Sequence, residues 1–122
     1  MKPQGWIAVG AASGALTVAL GAFGAHALKE RISAEDLEIW QTAVHYQGLH
    51  ALALIAFGLA HHVRPMRGFA GWCFLFGSAI FAGTLYAIAL GGPRWLGAIT
   101  PFGGLSLILG WLAFAWSAAR AR

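Results

Sequence analysis

The chain has 122 residues, of which 59% are hydrophobic and 10% charged, and its mean hydropathy is +0.69. A soluble domain is about 45–50% apolar and about 25% charged, so this composition would leave large apolar patches exposed to water. The many aliphatic and aromatic residues, without a collagen-type glycine repeat, exclude a disordered or fibrous chain. The composition therefore predicts an integral membrane protein, and the length predicts a single domain over residues 1–122.

The eight Lys and Arg residues exceed the four acids and give a net charge of +4. They are scattered over short connections and termini, so no basic patch or recognition motif indicates nucleic-acid binding. The single cysteine, Cys73, excludes an intramolecular disulfide and is expected to be a small buried hydrophobic residue.

Four stretches are apolar and long enough, or nearly so, to cross about 30 Å of hydrocarbon as helices. The predicted spans are 6–28, 44–63, 68–90 and 99–118. The second is the weakest, because Tyr46, Gln47 and His50 must enter the membrane if it is to cross. The first shares features with a signal peptide, but its apolar run is longer than the usual core of about 7–15 residues, and we expect it to be retained.

Residues 29–43 form the longest connection, which is predicted to lie outside and to include the start of an amphipathic helix. Ser33 is followed three residues later by an acid, which fits a capping box. One helix is therefore expected from about residue 34 to residue 60, with its first part at or above the membrane interface.

The fourth span contains the pair Thr100-Pro101, which is typical of an N-cap followed by proline in the first helical position. The helix is expected to begin there, which leaves residues 95–99 as an interfacial turn. The alternative is a proline kink inside a longer helix.

Lys and Arg in short connections indicate the orientation, because they are retained in the cytoplasm. With four spans, the side that holds both termini carries five basic residues and no acid: Lys2, Arg64, Arg67, Arg120 and Arg122. The other side carries three basic residues and all four acids, a balance of −1. The predicted fold is all-α: an integral membrane four-helix bundle, up-and-down, with both termini cytoplasmic, in the cell inner (plasma) membrane.

Aromatic and small residues add two expectations about packing. Five tryptophans fall near the predicted interfaces, as in an aromatic belt: Trp6, Trp40, Trp72, Trp95 and Trp116. Two ridges of small residues occur, Gly10-x-x-x-Gly14 and the series Ala79, Gly83, Ala87, Gly91. Such ridges let helices approach closely. We interpret them as packing within the bundle, with self-association as the alternative.

Polar side chains of all four spans fall towards the predicted outer ends. Tyr46 and His50 share one helix face, with Gln47 beside them, whereas His45 is expected to face elsewhere. Because ionisable groups inside a membrane are costly, they indicate a site. The candidate ligand-binding residues of this outer pocket are His26, Tyr46, Gln47, His50, Thr84 and Thr100. The alternative is that these groups only hydrogen-bond one helix to another.

The chemistry of these residues gives no indication of catalysis. His26 and His50 supply two ligands where zinc or copper usually takes three or four, so no metal site is predicted. No nucleophile lies beside a base, and no span contains an acid, so neither an enzyme nor a cofactor is predicted. The leading hypothesis is a non-enzymatic protein that is accessory to a membrane complex or binds a lipid or small apolar ligand.

Two alternatives remain. The first is a small oligomeric transporter or channel in which His26 and His50 handle protons. The weaker one is a metal- or haem-binding subunit. The expected partners are the lipid bilayer and either a second copy of the chain or a membrane complex.

At several motifs the sequence resembles the YgdD-like family of small membrane proteins (domain of unknown function four-two-three). The matching segments, in chain order, are Gly21-Ala22-Phe23-Gly24-Ala25-His26, residues 42–54, Gly83-x-Leu85-Tyr86, residues 95–104 and Gly110-Trp111. The resemblance covers essentially the whole chain. It implies a four-helix inner-membrane protein and implies no activity.

The sequence departs from the family pattern at two places. Ala27 stands where a glycine commonly follows the histidine, and Gly48-Leu49 replaces the bulkier pair usually found before His50. The second departure is expected to reshape any pocket beside His50.

Overall fold

A computed structural model describes residues 1–120 and shows four long helices joined by short connections. Their bounds are α1 Pro3–Phe23, α2 Ala34–Val63, α3 Phe69–Ala89 and α4 Thr100–Ala119. A π-helical turn, Gly24–Leu28, extends α1, and a 3₁₀ turn, Arg94–Ala98, precedes α4. All four helices are long and apolar enough to cross a membrane. The predicted all-α architecture with four spans is confirmed.

Local sequence signals account for two of the helix starts. The Ser33 hydroxyl accepts a hydrogen bond from the Asp36 amide at 3.0 Å and caps α2, which then runs without interruption to Val63. The α4 helix begins at Thr100 after the 3₁₀ turn, as predicted, rather than running as one kinked helix from residue 95. Ile99, not Thr100, occupies the N-cap position.

Each helix packs along the one that follows it in the chain: α1 on α2, α2 on α3 and α3 on α4. Within residues 1–120, the backbones of α1 and α4 do not pack closely on each other, so α2 and α3 are central and α1 and α4 lie to either side. Because successive helices alternate in direction, the start of α1, the 64–68 connection and the end of α4 lie at one end, the basic end. Residues 29–33 and 90–99 lie at the other, the mixed-charge end.

The core consists of two clusters, one in each half of the bundle. The larger, towards the basic end, includes Trp6, Phe57 and Phe74, all with no exposed surface. The smaller surrounds Trp40 at the mixed-charge end, where the indole N–H donates to the Leu20 carbonyl of α1 at 2.9 Å. The aromatic-belt prediction is therefore wrong for Trp6 and Trp40, because both rings fill space between helices.

Glycines allow the closest helix approaches. A Cβ on Gly10 would lie 2.8 Å from the Ala51 carbonyl oxygen of α2, and one on Gly103 would lie 2.5 Å from the Phe81 backbone nitrogen of α3. A Cβ on Gly14 or Gly83, by contrast, would meet nothing within 4 Å. The predicted ridges thus act in packing at Gly10 but leave open space at Gly14 and Gly83.

These distances predict opposite outcomes for two otherwise identical substitutions. Gly103→Ala drives a methyl group into the Phe81 backbone, so α3 and α4 must separate and the free energy of unfolding should fall by about 1–3 kcal/mol. Gly83→Ala adds the same methyl group in open space and should leave stability unchanged. Unfolding in mixed detergent micelles measures both, and equal stability of the two variants would contradict the observed α3–α4 contact.

Candidate functional site

The predicted outer pocket is divided by α2 into two grooves. Gln47 lines one between α1 and α3, the Gln47 groove, and His50 lines another between α2 and α4, the His50 groove. Because α2 is central, residues three apart on it face different neighbouring helices. The structure therefore does not assemble the six candidate residues into one cavity.

Gln47 is buried and connects three helices. Its Oε1 accepts a 2.6 Å hydrogen bond from the Tyr86 hydroxyl of α3, and its Nε2 lies 3.4 Å from both the carbonyl oxygen and the hydroxyl of Ser13 in α1. The amide thus satisfies its acceptor and donor from opposite sides. Ser13 and Tyr86 were not predicted as partners of Gln47, since neither carries a charge.

His50 is 2% exposed, and both of its ring nitrogens are engaged. Its Nδ1 lies 2.7 Å from the Tyr46 carbonyl oxygen, and its Nε2 lies 2.9 Å from the Trp111 indole nitrogen of α4. An indole N–H only donates, so Nε2 accepts and the proton resides on Nδ1. The imidazole is therefore neutral, and it has no nitrogen free for a metal or a ligand.

The pair Thr84 and Thr100 joins α3 to α4 through hydroxyls 2.6 Å apart. One of the two hydroxyls donates to the other, and the one that accepts is then free to donate to a carbonyl of its own segment, either Thr84 to Ile80 at 2.8 Å or Thr100 to Leu96 at 3.2 Å. Thr100 was predicted to cap α4 through its side chain; instead, its hydroxyl bonds across to α3. These two residues bridge helices and line neither groove.

Tyr46 lies at the surface of the His50 groove, where 39% of its area is exposed. Its ring packs against Phe81 with centroids 4.8 Å apart, and it lies parallel to the His50 ring at 6.3 Å. Its hydroxyl has no hydrogen-bond partner in the part of the chain that the structure describes. Tyr46 is thus exposed, whereas Gln47 and His50 are buried.

His26 lies apart from the other candidates, and its assignment to a common pocket is wrong. It is exposed on the π-helical turn, beyond Gly24, which packs on Trp40 of α2. His26 is therefore level with about residue 38, and His50 lies twelve residues further along α2, about 18 Å at 1.5 Å per residue.

The position of His50 along the bundle axis also differs from the predicted one. Its partner Trp111 is the twelfth of the 20 residues of α4, so His50 lies about halfway along the bundle rather than in its outer half. The residue Gly48, expected to reshape a pocket beside His50, instead faces Thr17 of α1, whose methyl group would be 3.0 Å from an added Cβ. Its small size serves the α1–α2 contact.

The Gln47 groove is a cavity of about 310 Å³. Its residues are Ser13, Leu16 and Leu20 of α1, Gln47 and Leu54 of α2, and Leu75, Ser78, Ala79, Ala82, Gly83 and Tyr86 of α3. The lining is mostly apolar, with the polar groups of Ser13, Gln47 and Tyr86 along one wall. The Ser78 hydroxyl has no hydrogen-bond partner among residues 1–120. A few polar groups within an apolar wall are typical of small-ligand sites, which measure about 300–1,000 Å³.

Metal ligation has little support in this geometry. Among residues 1–120 there is no group of three or more His, Cys, Asp or Glu side chains close enough to hold a metal ion. His26 and His50 are too far apart to share an ion or a haem iron.

Substitution of each tyrosine by phenylalanine compares the loss of a hydrogen-bonded hydroxyl with the loss of an unbonded one. Tyr86→Phe removes the donor to Gln47 and should lower the free energy of unfolding by about 0.6 kcal/mol, the average for hydrogen bonds between membrane helices, and by at most about 1.7 kcal/mol. Tyr46→Phe removes a hydroxyl without a partner and should have no effect. Denaturant unfolding of both variants measures the difference; an equal loss in both would refute the role given to the Gln47–Tyr86 bond.

Comparison with known proteins identifies similar sequences. Residues 20–104 match the family model described as "Protein of unknown function (DUF423)". A UPF0382 membrane protein of Staphylococcus saprophyticus is 42% identical over 108 residues, covering 88% of this chain and 90% of that protein. The UPF0382 inner membrane protein YgdD of Escherichia coli K12 is 38% identical over 113 residues, covering 90% and 86%. No solved structure matches the chain.

Proposed function

This chain belongs to the DUF423 family, an uncharacterised family of integral membrane proteins, and from that premise we propose that it is a non-enzymatic protein that binds a lipid acyl chain or a small apolar molecule in the Gln47 groove. It is a multi-pass protein of the inner membrane. The single observation that carries the proposal is the Gln47 groove itself: an apolar cavity open at the side of the bundle, with hydrogen-bonding groups along one wall.

The size of the side chains on α3 supports this proposal. Ala79, Ala82 and Gly83 line the groove where larger residues would fill it, and an added Cβ at Gly83 would meet nothing within 4 Å. In a bundle without an occupant, leucine at such positions would bury more apolar surface. Small residues here keep space open, and the Ser78 hydroxyl offers a polar contact to whatever enters.

The transporter alternative has less support. Proton transfer between His26 and His50 would have to cover about 18 Å along the bundle axis. Protonation of His50 would also remove the acceptor of the Trp111 N–H, since Nε2 would then be a donor. His50 is accordingly assigned to holding α2 and α4 together.

Filling the groove tests the proposal. Gly83→Leu places a bulky side chain in the Gln47 groove, whereas Gly14→Leu makes the same change in open space on α1, at a residue that does not line the groove. Native mass spectrometry of protein extracted gently from its own membrane should show a bound apolar molecule on the unmodified chain and on G14L. We expect at least a tenfold lower occupancy on G83L.

Two results would contradict the proposal. One is an unmodified chain that carries no bound molecule under conditions in which it stays folded. The other is equal occupancy on G83L and G14L, which would assign the bound molecule to another surface. Thermal unfolding of the two variants provides the control for folding.

The proposed orientation places both termini in the cytoplasm. Lys2, Arg64, Arg67 and Arg120 lie at the basic end, whereas all four acids of the chain occur between residues 30 and 38 at the other end. This asymmetry favours retention of the basic end inside the cell. A reporter active only in the cytoplasm should be active after Arg122 and inactive when inserted after Gly91, and the reverse pattern would overturn the orientation.

A further inference from the structure

A cleft at the basic end is lined by three arginines that form no ion pair among residues 1–120. It has a volume of about 650 Å³ and lies between the 64–68 connection, the start of α3 and the end of α4. Arg64, Arg67 and Arg120 line it, together with Pro65, Met66, Phe69, Ala70, Ala113, Trp116 and Ser117. Three guanidinium groups beside apolar and aromatic side chains form an uncommon lining for so apolar a protein.

Among residues 1–120, the arginines of this cleft have no carboxylate partner. All four acids of the chain are confined to residues 30–38, at the opposite end. Arg64 donates to the Ser117 carbonyl of α4 at 3.2 Å, which fixes the connection against α4. The Arg120 guanidinium lies over the Trp116 ring at 5.4 Å, and Arg67 is exposed. The positive charge in the cleft is therefore available to an anion.

An apolar groove begins where the charged cleft ends. It measures about 430 Å³, lies between the ends of α2 and α4, and is lined by Ala60, Val63, Arg64, Met66, Phe114, Ser117 and Ala118. The two cavities share Arg64, Met66 and Ser117 in their linings, so they adjoin each other. A molecule with an anionic head and an apolar tail would match both at once.

We propose that these two adjoining cavities bind one anionic phospholipid, with the headgroup phosphodiester in the arginine cleft and an acyl chain in the groove between α2 and α4. Guanidinium groups bind phosphate oxygens through paired N–H donors. Basic pockets between membrane helices at the interface are a known form of anionic headgroup recognition. The site lies at the other end of the bundle from the Gln47 groove and does not depend on the function proposed for that groove.

The headgroup half of the proposal is tested with paired charge variants. Arg67→Gln/Arg120→Gln removes two exposed cations from the cleft but keeps Arg64, which anchors α4. Lys29→Gln/Arg31→Gln removes the same charge from the mixed-charge end. In native mass spectrometry with phosphatidylglycerol, we expect at least a tenfold loss of bound lipid for the first pair and none for the second, with phosphatidylcholine bound weakly by all proteins.

The acyl-chain half is tested by filling the apolar groove. Ala118→Leu narrows it without changing any charge, and Ala115→Leu, an exposed neighbour outside both cavities, is the matched control. We expect phosphatidylglycerol retention to fall several-fold for A118L only. Glycerol 1-phosphate carries the phosphate without acyl chains. At the concentration at which phosphatidylglycerol saturates the site, it should not displace the lipid.

Three outcomes would overturn the proposal. Equal retention of phosphatidylglycerol by the cleft variant and the mixed-charge variant would show that Arg67 and Arg120 do not recognise the headgroup, which the proposal requires them to do. Equal binding of phosphatidylcholine and phosphatidylglycerol would remove the role of charge. Effective competition by glycerol 1-phosphate would assign the cleft to a free phosphate compound instead of a lipid. Size-exclusion profiles identical to that of the unmodified chain establish that each variant is folded.

Discussion

A polar group inside hydrocarbon is costly unless it has a hydrogen-bond partner within the protein, and this constraint organises most of the bundle, although the buried Trp6 indole N–H has no partner among residues 1–120. A side-chain hydrogen bond connects each packed pair of neighbouring helices: Trp40 to Leu20 for α1 and α2, Tyr86 to Gln47 for α2 and α3, and Thr84 to Thr100 for α3 and α4. The His50–Trp111 bond adds a link from α2 to α4, two helices that are not consecutive. Apolar packing between membrane helices is weakly specific, since lipid tails are equally apolar. These bonds therefore do much to specify which helix faces lie together.

The order of the helices explains why cavities occur at the sides. Glycines bring successive helices close, as at Gly10 against Ala51 and at Gly103 against Phe81. Because α1 and α4 do not close the bundle on each other, a gap remains between α1 and α3 and another between α2 and α4. The first gap is the Gln47 groove. The second contains the His50 groove in its middle and the apolar groove beside the arginine cleft at its basic end.

The sequence predicted the four spans, the start of α2 at Ala34 and the start of α4 at Thr100, because length, hydropathy and capping act locally. It did not predict that α2 separates the polar residues into the Gln47 groove and the His50 groove. Helical spacing puts Gln47 next to His50 on the surface of α2, but the groove that each side chain faces depends on which helices flank α2. The arrangement of the flanking helices is a property of the tertiary structure, which local sequence patterns do not contain. His26 was misplaced for a related reason: its distance from His50 depends on how α1 pairs with α2, and hydropathy carries no signal for this register.

Two kinds of polar residue can now be distinguished by whether their hydrogen-bonding capacity is used inside the bundle. Gln47 and His50 are buried and fully paired, so their first role is to hold helices together. The arginines of the basic end differ, because no Asp or Glu side chain of residues 1–120 lies near them. The same charges that favour a cytoplasmic basic end also leave that end electrostatically unsatisfied, and the phosphates of an anionic leaflet are the nearest source of negative charge. Orientation and lipid recognition would then depend on one set of residues, and a change at Arg67 or Arg120 would alter both.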